Sequence, residues 1–346
     1  MAPTEEHSLR FDRKPLRVLV AVATVNGAVC IVPPVFIVLD PDGAGTPGGS
    51  LVYLAALLTL LLTPIQLGVL AGVLRGPVRE MMERRRAQVL VEKVVTGSLV
   101  QSAFQPIVHM ASRQVMGVEA LARFAADPPA PPDVWFALAD RVGRGVELEL
   151  LAIKTHMVAA AHLPDHLYVA VNASPAALLS PGLLPALLGT GFPPTRIVVE
   201  LTEHASVDDY PALLCARETL RLHGIRLAVD DAGSGYSTFR HIVAVGPDII
   251  KVDRSLIADI DHDDACRAMV GSLVLYALES GSLVVGEGVE TAAELDTLEL
   301  LGVDAVQGYL LGRPRTGDAA WGSPPVVRQP AGQPLSARER LARWPG

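Results

Sequence analysis

The sequence predicts an α/β protein, a (β/α)8 barrel of TIM type preceded by a two-helix transmembrane hairpin. Three patterns predict it. Two apolar runs of 24 residues lie near the N-terminus. Beyond residue 100, eight short runs rich in β-branched residues alternate with longer Ala/Leu-rich stretches. Most of those eight runs stop at an acidic, amide or lysine side chain.

The hairpin comes first. Residues 16–39 and 51–74 carry no charge beyond Arg17. At about 1.5 Å per helical residue, each is long enough to cross a hydrocarbon core of roughly 30 Å. A signal peptide has a shorter apolar core and is not followed by a second span. Pro33, Pro34 and Pro64 are expected to kink or end these helices. Arg10, Arg13, Lys14 and Arg17 flank the first run, and Arg75, Arg79, Arg84, Arg85 and Arg86 follow the second. The loop between them, 40–50, has two aspartates and no Lys or Arg. The positive-inside rule therefore places residues 1–15 and everything after 74 in the cytoplasm, and makes the chain a multi-pass protein of the cytoplasmic (inner) membrane. Residues 75–100 read as a connecting helix, 101–316 as the barrel, and 317–346, rich in Pro, Gly and Arg, as a poorly ordered tail.

Composition narrows the function. Of 346 residues, half are hydrophobic, with 5% aromatic and 19% charged. The net charge of −8 argues against a nucleic acid polymer as partner. Cys30, Cys215 and Cys266 are too scattered for a disulfide framework or a zinc site, and the nine histidines form no metal-type doublet.

The predicted strands are 104–109, 115–119, 167–172, 196–200, 226–230, 248–252, 282–287 and 305–308. Glu119, Asn172, Glu200, the pair Asp230-Asp231, Lys251, Glu287 and Gln307 stand at or near their ends. In a barrel such positions converge on one mouth. Buried carboxylates repel one another and cost several kcal/mol each unless a cation compensates, so the pattern predicts a shared metal site. All the donors are hard oxygens, which suits Mg²⁺ or Mn²⁺ and disfavours zinc. Two such ions, about 3.5–4 Å apart, can clamp a phosphodiester and supply hydroxide for in-line attack. A lysine beside two cations is expected to have a lowered pKa.

The segment 119–124, EALARF, resembles the signature of the EAL-domain family of cyclic-di-GMP phosphodiesterases. The resemblance covers about 104–315 and rests on motifs in order: FQPIV at 104–108, VNASP at 171–175, ELTE at 200–203, DDAGSGYS at 230–237, DIIKVD at 248–253, EGVE at 287–290 and QGYLLGRP at 307–314. It implies that Glu119, Asn172, Glu200 and Asp230 hold one ion, and that Asp230 and Asp231 hold a second. It implies that Lys251 handles the attacking water, supported by Glu287 and Gln307, that Leu121 and Arg123 touch substrate, and that Glu203 steadies the loop after the fifth strand. It further implies a homodimer through the barrel and hydrolysis of cyclic-di-GMP to linear pGpG. The alternative is a weak or inactive cyclic-di-GMP receptor that signals through a partner. Two positions depart from the pattern: Ala232 stands where Phe is usual, predicting a looser loop at 232–237, and Phe124 replaces the commoner Trp.

Overall fold

The computed structural model describes residues 47–202, 210–233 and 238–317. The predicted span 16–39, the loop 40–46, Glu203 and most of the tail lie outside them. The chain divides into two units, residues 1–86 and 87–346.

In the first unit the described residues belong to one helix, α1 (Pro47–Thr96), which continues into the second unit. Its 50 residues correspond to about 75 Å. The sequence predicts a span ending at 74 and a separate connector, but the helix runs through both, with Pro64 and Pro77 inside it. Each proline forfeits one backbone hydrogen bond; a Leu-rich run surrounds Pro64, and the good helix formers Arg79, Glu80, Met81 and Met82 follow Pro77. From Leu61 to Thr96 the helix is long and apolar enough to cross a membrane by length and composition. Leu61, Ile65, Leu67, Val69 and Val73 are all exposed, whereas a soluble helix turns such a stripe inward.

The second unit is the barrel. Eight strands close in chain order: β1 (Val100–His109), β2 (Val115–Phe124), β3 (Tyr168–Ala173), β4 (Ile197–Leu201), β5 (Arg226–Ala232), β6 (Ile249–Val252), β7 (Leu283–Gly286) and β8 (Ala305–Val306). Among the helices that matter for the site are α2 (Pro132–Arg141), α3 (Gly145–Ala160) and the short α4 (Pro175–Leu178). The predicted alternation fails once. β1 is antiparallel to both β2 and β8, and no helix separates β1 from β2. The link between them, 110–114, is far shorter than the dozen or so residues a parallel crossover needs. It can only turn a hairpin, and Arg113 takes a left-handed φ of 56° to do so.

The hairpin also lengthens β2 beyond its predicted end. Its ladder continues to Gln101↔Arg123 and Val100↔Phe124, so Glu119 sits mid-strand, opposite Gln105. The last turns of α1 pack beside this extension. Ala87, Val91 and Val94 are buried with Ala122, Trp135, Ala139, Leu148 and Ala152, and Phe124 stacks on Trp135 with ring centroids 5.7 Å apart. Arg144, before α3, pairs with Glu92 of α1 and, at 2.6 Å, with Glu147.

Inside the barrel one layer is apolar: Ile107, Tyr168, Ala170, Val198, Ala228, Ile249, Val285 and Ala305 are buried together. Gly117 belongs beside them, because a Cβ there would stand 2.5 Å from the Tyr168 ring.

Candidate active site

Side chains on a strand alternate between faces, so the residue two positions along from an interior residue is interior again. Applied to the apolar layer, that rule generates the site. Asn172 follows Ala170, Glu200 follows Val198, Asp230 follows Ala228, Lys251 follows Ile249, Glu287 follows Val285 and Gln307 follows Ala305. Glu119 likewise follows Gly117 on β2. On the reversed β1 the same layer is reached backwards from Ile107, at Gln105. The next ring of a continuous barrel interior is thus polar on every strand.

Lys251 lies at its centre, 1% exposed. Its Nζ is 2.6 Å from Glu287 Oε1, 2.7 Å from Glu200 Oε2, 3.1 Å from Asp230 Oδ1 and 3.7 Å from Glu119 Oε2. Glu119 also accepts hydrogen bonds from Asn172 Nδ2 at 2.8 Å and Gln307 Nε2 at 2.6 Å. Gln105 joins the two ends of the ring: its Oε1 accepts from Gln307 Nε2 at 3.1 Å, and its own Nε2 donates to the Gly312 carbonyl at 3.1 Å.

Asp231 should face away from Asp230 on a regular strand. The β5–β6 register slips between Val229 and Ala232, and Asp231 adopts φ of 55°. This irregularity re-aims the second carboxylate, as β-bulges do, and Asp230, Asp231 and Glu287 offer oxygens all within 4.8 Å of one another. Ala232 is fully buried in the main core, and its carbonyl accepts from Asp253 N at 3.1 Å. Of the loop 232–237 predicted to be looser, residues 234–237 lie outside the described residues.

Electrostatics favour added cations. Four carboxylates face one ammonium. Burial, outweighing the Lys251 attraction, drives Glu200 and Glu287 well above the ordinary glutamate pKa. Burial acts the same way on Glu119, but Lys251 and the Asn172 and Gln307 hydrogen bonds prevail and hold it low. For Lys251 burial pushes the pKa down, yet the surrounding Asp230, Glu119, Glu200 and Glu287 lift it well above the ordinary value. This is the field of the protein's own groups, without the two cations whose repulsion underlies the lowered lysine pKa expected from sequence. The donor set also fits divalent ions of the Mg²⁺ or Mn²⁺ kind: Asn172 Oδ1 and Gln307 Oε1 are buried oxygens without a hydrogen-bond partner, and Asp230 Oδ1 is another, near Lys251 but poorly aligned for a bond.

Above the ring opens a cavity of about 390 Å³. Glu119, Glu287 and Gln307 line its floor, with Leu121 as the sequence predicts. Arg123 is not among the residues lining it; its Nη1 donates to the Ala122 carbonyl at 2.8 Å. Asp253, Arg254, Glu290 and Tyr309 complete the wall. Arg254 pairs with Glu290 at 2.5 Å and donates to the Gly288 carbonyl at 2.9 Å. Gly308 lets the chain turn between floor and wall, since a Cβ there would lie 2.1 Å from the Val289 carbonyl oxygen. Sequence reading missed Gln105 and these wall residues as site residues. Gln105 was detectable only by knowing that β1 runs backwards, which makes its interior polar residue precede the apolar one.

Known proteins resemble this chain in sequence and in fold. The chain is 30% identical to the cyclic di-GMP phosphodiesterase PdeL of Escherichia coli over 62% of each protein. BlrP1 of Klebsiella pneumoniae, solved in a calcium/cyclic-di-GMP complex, superposes with a TM-score of 0.58 at 32% identity, over 63% of this chain and 56% of that one. It has also been solved with manganese and cyclic-di-GMP. The phosphodiesterase of MucR from Pseudomonas aeruginosa, in complex with c-di-GMP, matches with a TM-score of 0.61 at 26% identity, over 68% of this chain and 99% of that one. Several other curated relatives are much longer, and the chain spans about a third of their length. The family model of the EAL domain matches residues 81–314, and the chain belongs to the EAL-domain family.

Proposed function

We propose that the chain is a membrane-anchored phosphodiesterase that uses two divalent ions, Mg²⁺ or Mn²⁺, to hydrolyse cyclic-di-GMP to linear pGpG. The observation that carries this reading is the complete polar ring, in which Glu119, Asn172, Glu200, Asp230, Asp231, Glu287 and Gln307 offer oxygen donors around Lys251. Bound cations would supply charge neutralisation and an acidified water. Glu119, Asn172, Glu200 and Asp230 would hold one ion, and Asp230 with Asp231 the other. Lys251 would handle the attacking water, as an ammonium that orients it towards phosphorus or as the base that takes its proton. Water oxygen would bond to phosphorus as the bond to the 3′ oxygen breaks, with one of the water's protons passing to the departing 3′ oxygen and the other remaining with the new phosphate. The ring opens to pGpG with a free 5′ phosphate. Leu121 and the wall around Tyr309 shape the space for a base, and Arg123 acts on the outer part of the substrate.

The exposed apolar stripe of α1 supports a membrane anchor, the charge pattern supports a hairpin with both ends in the cytoplasm, and membership of the EAL-domain family suggests Glu203 as loop anchor and a barrel homodimer.

The deciding experiment follows cyclic-di-GMP by chromatography with full-length protein in lipid nanodiscs, with Mn²⁺, Mg²⁺ or Ca²⁺. Formation of pGpG with Mn²⁺ or Mg²⁺ is expected. Tight binding without product under every condition would replace the enzyme with the receptor reading.

A further inference from the structure

Asn172 is an unusual member of the ring. It is an amide among acids, and its value to a cation depends on which way its oxygen points. Its Nδ2 is spent on Glu119 at 2.8 Å, which leaves Oδ1 buried and unpartnered. β3 ends one residue later at Ala173, so the turn that follows governs how the Asn172 backbone is presented.

That turn is held from outside the barrel by one side chain. Glu149 on α3 accepts the Ser174 backbone N–H at 2.8 Å on Oε2 and the Ser174 hydroxyl at 2.9 Å on Oε1. Ser174 Oγ in turn accepts from Ala177 N at 3.2 Å and caps α4. A carboxylate suits this place because it accepts through both oxygens without presenting a donor. It is a costly choice for a mere cap: Glu149 is half-buried, burial and nearby Asp140 raise its pKa despite the Ser174 bonds, and no Lys or Arg pairs with it among the described residues.

We infer that Glu149 is a positioning residue of the metal site, clamping the Ser174 turn so that the free Asn172 amide oxygen is presented to a divalent cation. The inference rests on the metal reading above. Partners one step removed from a metal ligand commonly contribute 10–100-fold to affinity, so the effect belongs in metal binding and not only in folding.

The test measures Mn²⁺ alone, by calorimetry and by electron paramagnetic resonance, on the full-length protein in nanodiscs. Glu149→Gln keeps the shape but turns one acceptor into a donor, and is expected to weaken Mn²⁺ binding about tenfold. Ser174→Ala, which removes one of the two bonds to Glu149 together with the α4 cap and leaves the backbone bond, should weaken it by a smaller factor. In an Asn172→Ala background, Glu149→Gln should add less than about twofold, because the two act through one ligand. Wild-type Mn²⁺ binding with unchanged affinity in both Glu149→Gln and Ser174→Ala, or full additivity with Asn172→Ala, would overturn the inference and leave Glu149 as a helix cap. A wild-type protein that binds no Mn²⁺ at all would remove the metal reading itself, and this one with it.

Discussion

Two rings of the barrel interior, one residue pair apart on the same strands, obey opposite rules. The apolar ring of Ile107, Tyr168, Ala170, Val198, Ala228, Ile249, Val285 and Ala305 is buried and self-contained. The next ring is buried almost as deeply, with Glu119 at 7%, Glu200 at 1% and Lys251 at 1% exposed, yet it gathers like charges and leaves acceptors without partners. Its backbone is the same and its burial is similar, so neither explains the contrast. One ring stabilises the barrel by removing apolar surface from water. The other carries a cost that only a ligand can offset, and such unsatisfied charge is a mark of function.

The largest expected effect separates the rings by activity. Asp230→Asn should lower turnover on the order of a thousandfold, or about 4 kcal/mol, while thermal stability without metal holds or rises, since a carboxylate leaves a crowded site. Near-wild-type hydrolysis in that variant would dissolve the two-ion assignment. The second effect concerns the counter-charge. Lys251→Met strands four acids, and the metal-free protein should lose about 3–5 kcal/mol of stability, recovered in part by millimolar Mn²⁺ because binding to the folded state stabilises it. A denaturation curve indifferent to both lysine and Mn²⁺ would show that the acids are already protonated.

Below this in size stands the apolar ring. Ile249→Ala should cost about 2–5 kcal/mol through the cavity it leaves, and the surviving folded fraction should turn over within a few-fold of wild type. A fall in turnover as deep as that of Asp230→Asn would mean the two rings are not separable.

The smallest effect is a control from another layer of the barrel unit. His156 on α3 is buried, with Nδ1 2.7 Å from Ser102 Oγ, and burial holds its pKa down to about 4. The unfolded chain takes up a proton below the ordinary value of 6.5, and the folded one does not until about 4. Stability from this group is therefore complete above pH 6.5 and is lost as pH falls towards 4, by about 3 kcal/mol. His156→Gln should flatten that part of the urea-denaturation profile and leave metal affinity unchanged. Identical pH slopes for the two proteins would place the acid sensitivity in the polar ring instead.

Much of the chain is legible in its letters. The short β-branched runs and the polar residue that ends most of them marked the strands and the polar ring, because a buried strand reads as a short apolar run. Apolar runs of 24 residues likewise announce helices of membrane length, and residues 51–74 fall within a single helix. Both signals are local, and local patterns survive without knowledge of partners.

What the letters did not contain was direction and reach. The five-residue link at 110–114 turns β1 around, and that reversal moves Gln105 into the ring and extends β2 past Glu119. The slip at Asp231 brings a neighbour that alternation assigns to the opposite face into reach of Asp230 and Glu287. The pKa of Lys251 depends on acids from three strands and on Glu287 just past the end of a fourth. Sequence by itself determined the barrel, the apolar helix and the identity of the ring's acids, since each is a property of a short stretch. Only the tertiary structure decided which oxygens meet, because distances between strands, and the charges felt across them, exist only once the sheet has closed.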